Sequence, residues 1–202
     1  KEFIYRKLCK LKTISKDYIG SISECSKLID LRPNESYAYT NRCSAYAYLK
    51  KIDKAYLDCN KALEINPKNA QAYTNLCFAG YISREYRKAK LNCDKAIEID
   101  NSIDQAFSNR CAININLMEM NRADMDCKKS LYINNSNASA YTNLCYLNFR
   151  IGKNEEALNY CDKAIEIDQN IDIAYLNRCA IKLTLGDNLG AIDDCNISKN
   201  IN

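Results

Sequence analysis

Residues 36–69 read SYAYTNRCSAYAYLKKIDKAYLDCNKALEINPKN, and the two cysteines in this stretch set the frame for the whole chain. Cys43 recurs with a step of 34 residues, at Cys9, Cys77, Cys111, Cys145 and Cys179. Cys59 recurs with the same step, at Cys25, Cys93, Cys127, Cys161 and Cys195. All 12 cysteines belong to these two series, which stand 16 residues apart. A fixed period of this length is the signature of a stacked repeat protein. With Ser36 as position 1, the chain divides into repeats 2–35, 36–69, 70–103, 104–137, 138–171 and a shorter 172–202. The unbroken period predicts one array over residues 1–202, and 5 Gly and 2 Pro leave no flexible linker to separate domains.

Within the quoted repeat, apolar residues recur at helical spacing over about Tyr37–Leu49 and again over about Asp53–Asn66. Pro67 follows where a helix interior would exclude it. The unit is thus a pair of helices, and the fold class is all-α. An aromatic stands at position 4 throughout, as Tyr5, Tyr39, Tyr73, Phe107, Tyr141 and Tyr175. Alanine stands at position 20 as Ala55, Ala89, Ala123, Ala157 and Ala191, small enough to let two helices approach closely. The seven letters DKAIEID occur at both 94–100 and 162–168, in the second helix of their repeats.

These residues resemble the tetratricopeptide repeat family over essentially the whole chain. Ala62, Ala96 and Ala164 at position 27 and Pro33 and Pro67 at position 32 add to the likeness. The departures are Cys at positions 8 and 24, where the family carries a small residue and a large aromatic. The resemblance implies a right-handed superhelical solenoid of about six antiparallel helix pairs. First helices then line a concave groove, second helices form the outside, and each unit is stabilised by its neighbours. A start at Lys1 and a stop inside a repeat read as a processed or excised fragment, with repeat six awaiting a further helix.

In a helical hairpin that turns near position 16, residues whose positions sum to about 32 face each other. Positions 8 and 24 do so, and close helix packing brings facing Cα atoms within disulfide reach. The pairs expected are Cys9–Cys25, Cys43–Cys59, Cys77–Cys93, Cys111–Cys127, Cys145–Cys161 and Cys179–Cys195. Two readings stand beside each other. Either each repeat is stapled and the protein works in an oxidising, extracytoplasmic or secreted setting, or the cysteines are free core thiols of a cytoplasmic protein. Metal binding is disfavoured, because the chain has no His and each hairpin offers two thiolates where a closed zinc site needs four ligands.

Position 7 alternates between Leu8, Leu76 and Leu144 in odd repeats and Arg42, Arg110 and Arg178 in even ones. Position 23 answers it with Asp58, Asp126 and Asp194 in the even repeats, which predicts ion pairs Arg42–Asp58, Arg110–Asp126 and Arg178–Asp194. Positions 2, 5, 6, 9, 12 and 13 of the first helix are expected to face the groove. Position 6 supplies Asn41, Asn75, Asn109, Asn143 and Asn177, an amide ladder able to hold an extended peptide backbone. It resembles the asparagine ladder of the eukaryotic O-linked N-acetylglucosamine transferase; the alternative is that each amide bonds locally within its own helix layer. Tyr48, Phe78, Tyr81, Tyr146 and Phe149 bring rings to the same surface, or pack between adjacent first helices. The family's clamp for chaperone tails is poorly matched, since Lys10, Gln71 and Asn75 stand where Asn, Lys and Arg are needed.

Net charge is +4, from 29 basic and 25 acidic residues interleaved, which is a mixed solvated surface and not a nucleic-acid patch. No apolar run is long enough to insert in a membrane. Nothing in the chain suggests an enzyme or a cofactor: there is no His, no Gly-rich phosphate loop and no cysteine set apart from the rest. The reading is a scaffold for a protein or peptide ligand, oligomeric state open. The alternatives are an accessory repeat domain of a larger enzyme such as a glycosyltransferase, or a secreted surface or virulence solenoid. Asn34-Glu-Ser36 and Asn137-Ala-Ser139 match the glycosylation pattern, by chance in so Asn-rich a chain.

Overall fold

The structure, a computed structural model, describes residues 1–201. The described residues form twelve helices and no strand: α1 (Glu2–Ile14), α2 (Tyr18–Leu31), α3 (Ser36–Tyr48), α4 (Ile52–Ile65), α5 (Ala70–Ile82), α6 (Tyr86–Ile99), α7 (Asp104–Asn116), α8 (Met120–Ile133), α9 (Ala138–Arg150), α10 (Asn154–Ile167), α11 (Asp172–Leu185) and α12 (Asn188–Ile201). Two compact units hold them, Lys1–Asn109 and Arg110–Asn202. The first contains the hairpins α1/α2, α3/α4 and α5/α6; the second contains α8 and the hairpins α9/α10 and α11/α12. No described helix is long and apolar enough to cross a membrane.

The same few residues start and stop the helices in repeat after repeat. At position 31, Asn66, Asp100, Asn134 and Asp168 each accept a hydrogen bond from the backbone N–H two residues on, at 2.9–3.2 Å. This short polar turn ends the second helix, as Asx side chains do. Three positions later, Asn69 and Asn137 accept from the N–H groups of Ala72 and Ala140, both at 3.0 Å, and so cap α5 and α9. Asn137 is therefore an internal cap, 8% exposed, and not an open glycosylation site.

The turn inside each hairpin has its own fixed point. Position 15 adopts a left-handed conformation in all six repeats, with φ of 61° at Lys16, 56° at Lys50, 64° at Arg84, 62° at Met118, 81° at Gly152 and 86° at Gly186. This is where a helix terminates by reversing its backbone, and glycine takes that conformation without a Cβ clash. Two repeats use glycine; four tolerate a long side chain.

Small groups line the closest helix approaches, with larger ones such as Leu28, Leu144 and Ile181 filling the core beyond them. Position 20 is Ser21 in the first repeat and alanine in the other five, and all six are fully buried. Around Cys43 and Cys59 the buried residues are Ala47, Ala55, Ala62, Ala72, Leu76 and Ala79, with Tyr39, Tyr46, Tyr56, Tyr73 and Phe78 packed around them. The sulfurs of all six expected cysteine pairs stand at disulfide distance, with Cα–Cα separations of 4.8–5.5 Å. A sulfur pair takes the volume that a large aromatic at position 24 would otherwise fill, so alanine can surround it.

Replacing Gly152 by Ala is expected to destabilise the protein by about 1 kcal/mol, and Lys50→Gly to stabilise it by a similar amount, because only glycine is free of the left-handed penalty. Denaturant midpoints at constant m-value check both. Ala123→Leu, which overfills the closest helix approach, should cost roughly 1–3 kcal/mol.

Candidate functional site

In the unit Lys1–Asn109 the first helices α1, α3 and α5 lie side by side, and positions 6, 9 and 13 form one stripe on each. The stripes read Lys7, Lys10, Ile14; then Asn41, Ser44, Tyr48; then Asn75, Phe78, Ile82. Ring contacts show how they adjoin. Tyr48 stacks on Tyr18 with centroids 4.7 Å apart and planes 5° from parallel, and meets Phe78 at 4.8 Å. Three repeats thus contribute one continuous row of rings, and Tyr48 at its centre remains 50% exposed. Tyr18 is not among the expected groove residues, because it opens a second helix. The facing rule that pairs the cysteines also finds it, since position 17 lies opposite position 15, beside position 13.

Toward the other end of the same stripes is an open cleft of about 770 Å³, lined among others by Tyr37, Thr40, Asn41, Asn69 and Gln71. Its floor is tied together by side-chain amides. Asn69 Nδ2 donates to Ser36 Oγ at 2.9 Å and to Thr40 Oγ1 at 2.8 Å. Asn75 is 7% exposed; its Nδ2 donates to the Thr40 carbonyl at 3.0 Å, and its Oδ1 accepts from Gln71 Nε2 at 3.3 Å. Asn41 behaves differently, with Nδ2 donating to Tyr37 O in its own helix at 2.8 Å. Burial pushes the Tyr37 hydroxyl above the usual tyrosine range. The position-6 amides therefore do unequal work: one bonds within its own helix, while another locks α5 to α3.

The remaining expected groove residues are placed as follows. Asn109 and Asn143 are half-buried, and Asn177 has a buried Nδ2 without a partner. Tyr81 lies 6.1 Å from Tyr86. Tyr146 accepts a hydrogen bond from Arg150 Nη1 at 2.9 Å. Phe149 packs on the cluster of Cys145, Ala157, Cys161 and Ile181.

The alternating charges meet as bidentate pairs. Arg42 Nε and Nη2 donate to Asp58 at 2.7 and 2.8 Å, Arg110 to Asp126 at 2.9 and 2.6 Å, and Arg178 to Asp194 at 2.8 and 2.6 Å. The carboxylates are all but buried, Asp58 at 3% and Asp194 at 2% exposure. Arg42 Nη1 also reaches back one repeat to donate to Ser26 Oγ at 2.9 Å, as Arg178 Nη1 does to Asp162 Oδ1 at 2.7 Å. Arg42 and Arg178 thus tie their own hairpins to the preceding ones. Burial pushes the Asp194 carboxyl up, but hydrogen bonds from Arg178 and Lys182 outweigh it and hold the group below its ordinary value of 3.8. The hydrogen bond to Asp58 holds the Arg42 guanidinium above its usual value.

Comparison with known proteins agrees with this architecture. Tetratricopeptide repeat models match residues 36–69 and 138–171. Those two segments read as tetratricopeptide repeats, and the chain resembles that family. No curated protein matches it in sequence. Among solved structures it is similar to TTC0263, a thermophilic repeat protein of this family from Thermus thermophilus, with 15% identity over 91% of this chain and 100% of that one and a TM-score of 0.77. It is similar to PilW, a widely conserved type IV pilus biogenesis factor, with 21% identity over 96% and 90% and a TM-score of 0.76. It is also similar to YrrB, a repeat protein with an unusual peptide-binding site, with 18% identity over 88% and 91% and a TM-score of 0.57. At these identities the likeness shows the tetratricopeptide fold alone.

Asp58→Ala is expected to cost roughly 3–5 kcal/mol, because it leaves Arg42 partly buried and unpaired, whereas the double change Arg42→Leu with Asp58→Leu should cost far less. Equal losses in chemical denaturation would refute the buried-pair account. The lowered Asp194 carboxyl contributes stability that is present above 3.8 and is lost as pH falls through its depressed folded value. Asp194→Asn should remove that part of the acid sensitivity, seen as a shallower dependence of the unfolding midpoint on pH below about 4.

Proposed function

We propose that the chain is an interaction scaffold that holds an extended peptide, or an extended segment of a partner protein, against its first-helix surface. The observation that carries this reading is the ring row Tyr18–Tyr48–Phe78, which leaves the central ring half exposed on the same stripes as the amide-lined cleft. A half-exposed aromatic offers large contact area at small entropic cost. Amides beside it offer the donors and acceptors that a peptide backbone needs. Tetratricopeptide repeats are mostly non-enzymatic scaffolds, and YrrB carries a peptide-binding site on the same fold. Both facts support the reading.

The cysteine pairs belong to the same proposal. Each closes a loop with a sequence separation of 16, worth roughly 3 kcal/mol in the chain-entropy model. One staple per repeat keeps a binding surface in shape where proteases and dilution act, and suits an oxidising setting.

Two measurements test this. Intact mass and thiol counting on protein purified without reductant should show two hydrogens lost per repeat and no reactive thiol. Twelve free thiols after mild oxidation would remove the staples from the proposal. Panning a random peptide display library on the oxidised chain should enrich peptides that cross-compete and lose binding with Tyr48→Ala. The scaffold reading fails if no peptide is enriched, or if binding is indifferent to Tyr48.

A further inference from the structure

Charge is not shared evenly between the two helix layers of the unit Lys1–Asn109. The first helices α1, α3 and α5 carry five basic residues, Arg6, Lys7, Lys10, Lys12 and Arg42, against the single acid Glu2. The second helices α2, α4 and α6 carry seven acids and seven bases. Three of the five inner cations are answered within the chain: Arg6 by Glu35 at 3.4 Å, Lys12 by Asp17 at 2.8 Å and Arg42 by Asp58 at 2.7 Å. Lys7 and Lys10 are both exposed, and among the described residues neither has a carboxylate within ion-pair distance. Lys7 Nζ lies over the Phe3 ring at 4.4 Å. Glu2, the one acid of this layer, is bound to Arg32 at 2.8 Å. The neighbouring stripes, Asn41–Ser44–Tyr48 and Asn75–Phe78–Ile82, hold no charge.

We propose that the ligand of this surface is an acidic extended peptide, whose side-chain carboxylates meet Lys7 and Lys10 and whose aromatic or proline ring meets Tyr48 and Phe78. The proposal rests on the peptide-scaffold reading above and names its ligand class. Lys7 and Lys10 are one helical turn apart, about 5 Å along the axis. Successive side chains on one side of an extended chain repeat at about 7 Å, so acids at i and i+2 of the peptide match long, flexible lysines. Adjacent helices pack about 8–10 Å apart. With a rise of about 3.3 Å per residue, a peptide crosses from the stripe of α1 to that of α3 in about three residues and to that of α5 in about six. The expected pattern is therefore an acidic pair followed or preceded, about three to six residues away, by a ring. The stripes between offer Asn41 and Ser44 to the backbone.

The test uses the full oxidised chain and fluorescence anisotropy with labelled ten-residue peptides. One has the pattern Glu-x-Glu-x-x-Tyr-Pro, one its reverse order, and one replaces both Glu by Gln. All are amidated, so that a terminal carboxylate supplies no charge. A single-stranded oligonucleotide of similar length is the fourth probe. In about 50 mM salt an acidic peptide should bind about 5- to 10-fold tighter than its Gln form, from two exposed pairs. The gap should close in about 1 M salt, where the screening length is about 3 Å. Lys7→Gln with Lys10→Gln should abolish the gap while leaving the Gln peptide's affinity and the circular dichroism unchanged. Tyr48→Ala should weaken all three peptides alike. Equal binding of acidic and Gln peptides overturns the acidic assignment and leaves the scaffold reading standing. Preferential binding of the oligonucleotide overturns it in favour of nucleic acid. No binding by any of the three peptides at millimolar concentration overturns the acidic assignment, and the library panning alone decides the scaffold reading.

Discussion

The closeness of the two helices within each hairpin is the constraint on which the rest of this structure depends. Six cysteine pairs have Cα–Cα separations of 4.8–5.5 Å, and the residue at position 20 beside them is never larger than alanine or serine. At that separation the space directly between the two helices of a hairpin favours small side chains. Around Cys43 and Cys59 the interior is consequently mostly alanine and sulfur, with tyrosines at the edges of the packed layer, while larger groups such as Leu28, Leu144 and Ile181 fill the core elsewhere. The facing sulfurs fill the space that alanine leaves, and in the proposed stapled form each pair also removes conformations from the unfolded chain.

Two further devices act across the repeats. Arg42 and Arg178 each bind an aspartate of their own hairpin and reach a polar side chain of the preceding repeat. Such buried pairs contribute more to fixing register than to net stability, because desolvation offsets much of their attraction. Asn69 and Asn75 fasten α5 to α3 by hydrogen bonds to Ser36 and Thr40. In the unit Lys1–Asn109 the proposed binding surface is therefore set on a frame whose helix-to-helix joints are polar and directional. Directional joints hold a row of rings and a cleft in one geometry more tightly than apolar contacts alone.

The same frame explains why the exposed rings and the unpaired lysines lie together. Second helices carry the acid that answers Arg42, and loop acids answer Arg6 and Lys12, so Lys7 and Lys10 are the first-layer cations left over. Tyr48 is their aromatic counterpart. The surface is thus defined by what internal pairing leaves over.

Much of this is legible in the residues alone. The 34-residue period of Cys43 and Cys59 contains the number of helices, their pairing and the choice of cysteine partners, because hairpin geometry converts a sequence offset directly into a facing contact. The alternation of Arg42 and Leu76 with Asp58 and Asn92 contains the ion pairs for the same reason. Position 15 is not legible in this way, although Gly152 and Gly186 occupy it in two repeats; Lys16, Lys50, Arg84 and Met118 conceal the left-handed turn because tertiary packing overrides their local preference. The unequal work of Asn41 and Asn75, identical letters at the same repeat position, could only come from the tertiary structure. Which amide stays in its own helix and which bridges to the next depends on the distance to the neighbouring carbonyl, and no one-dimensional pattern carries that distance. The sequence by itself determined the repeat, the hairpin and its facing cysteines, since these depend on spacing along one chain. Tertiary structure decided which polar groups are consumed in holding the layers together and which remain for a ligand, since that depends on contacts between repeats.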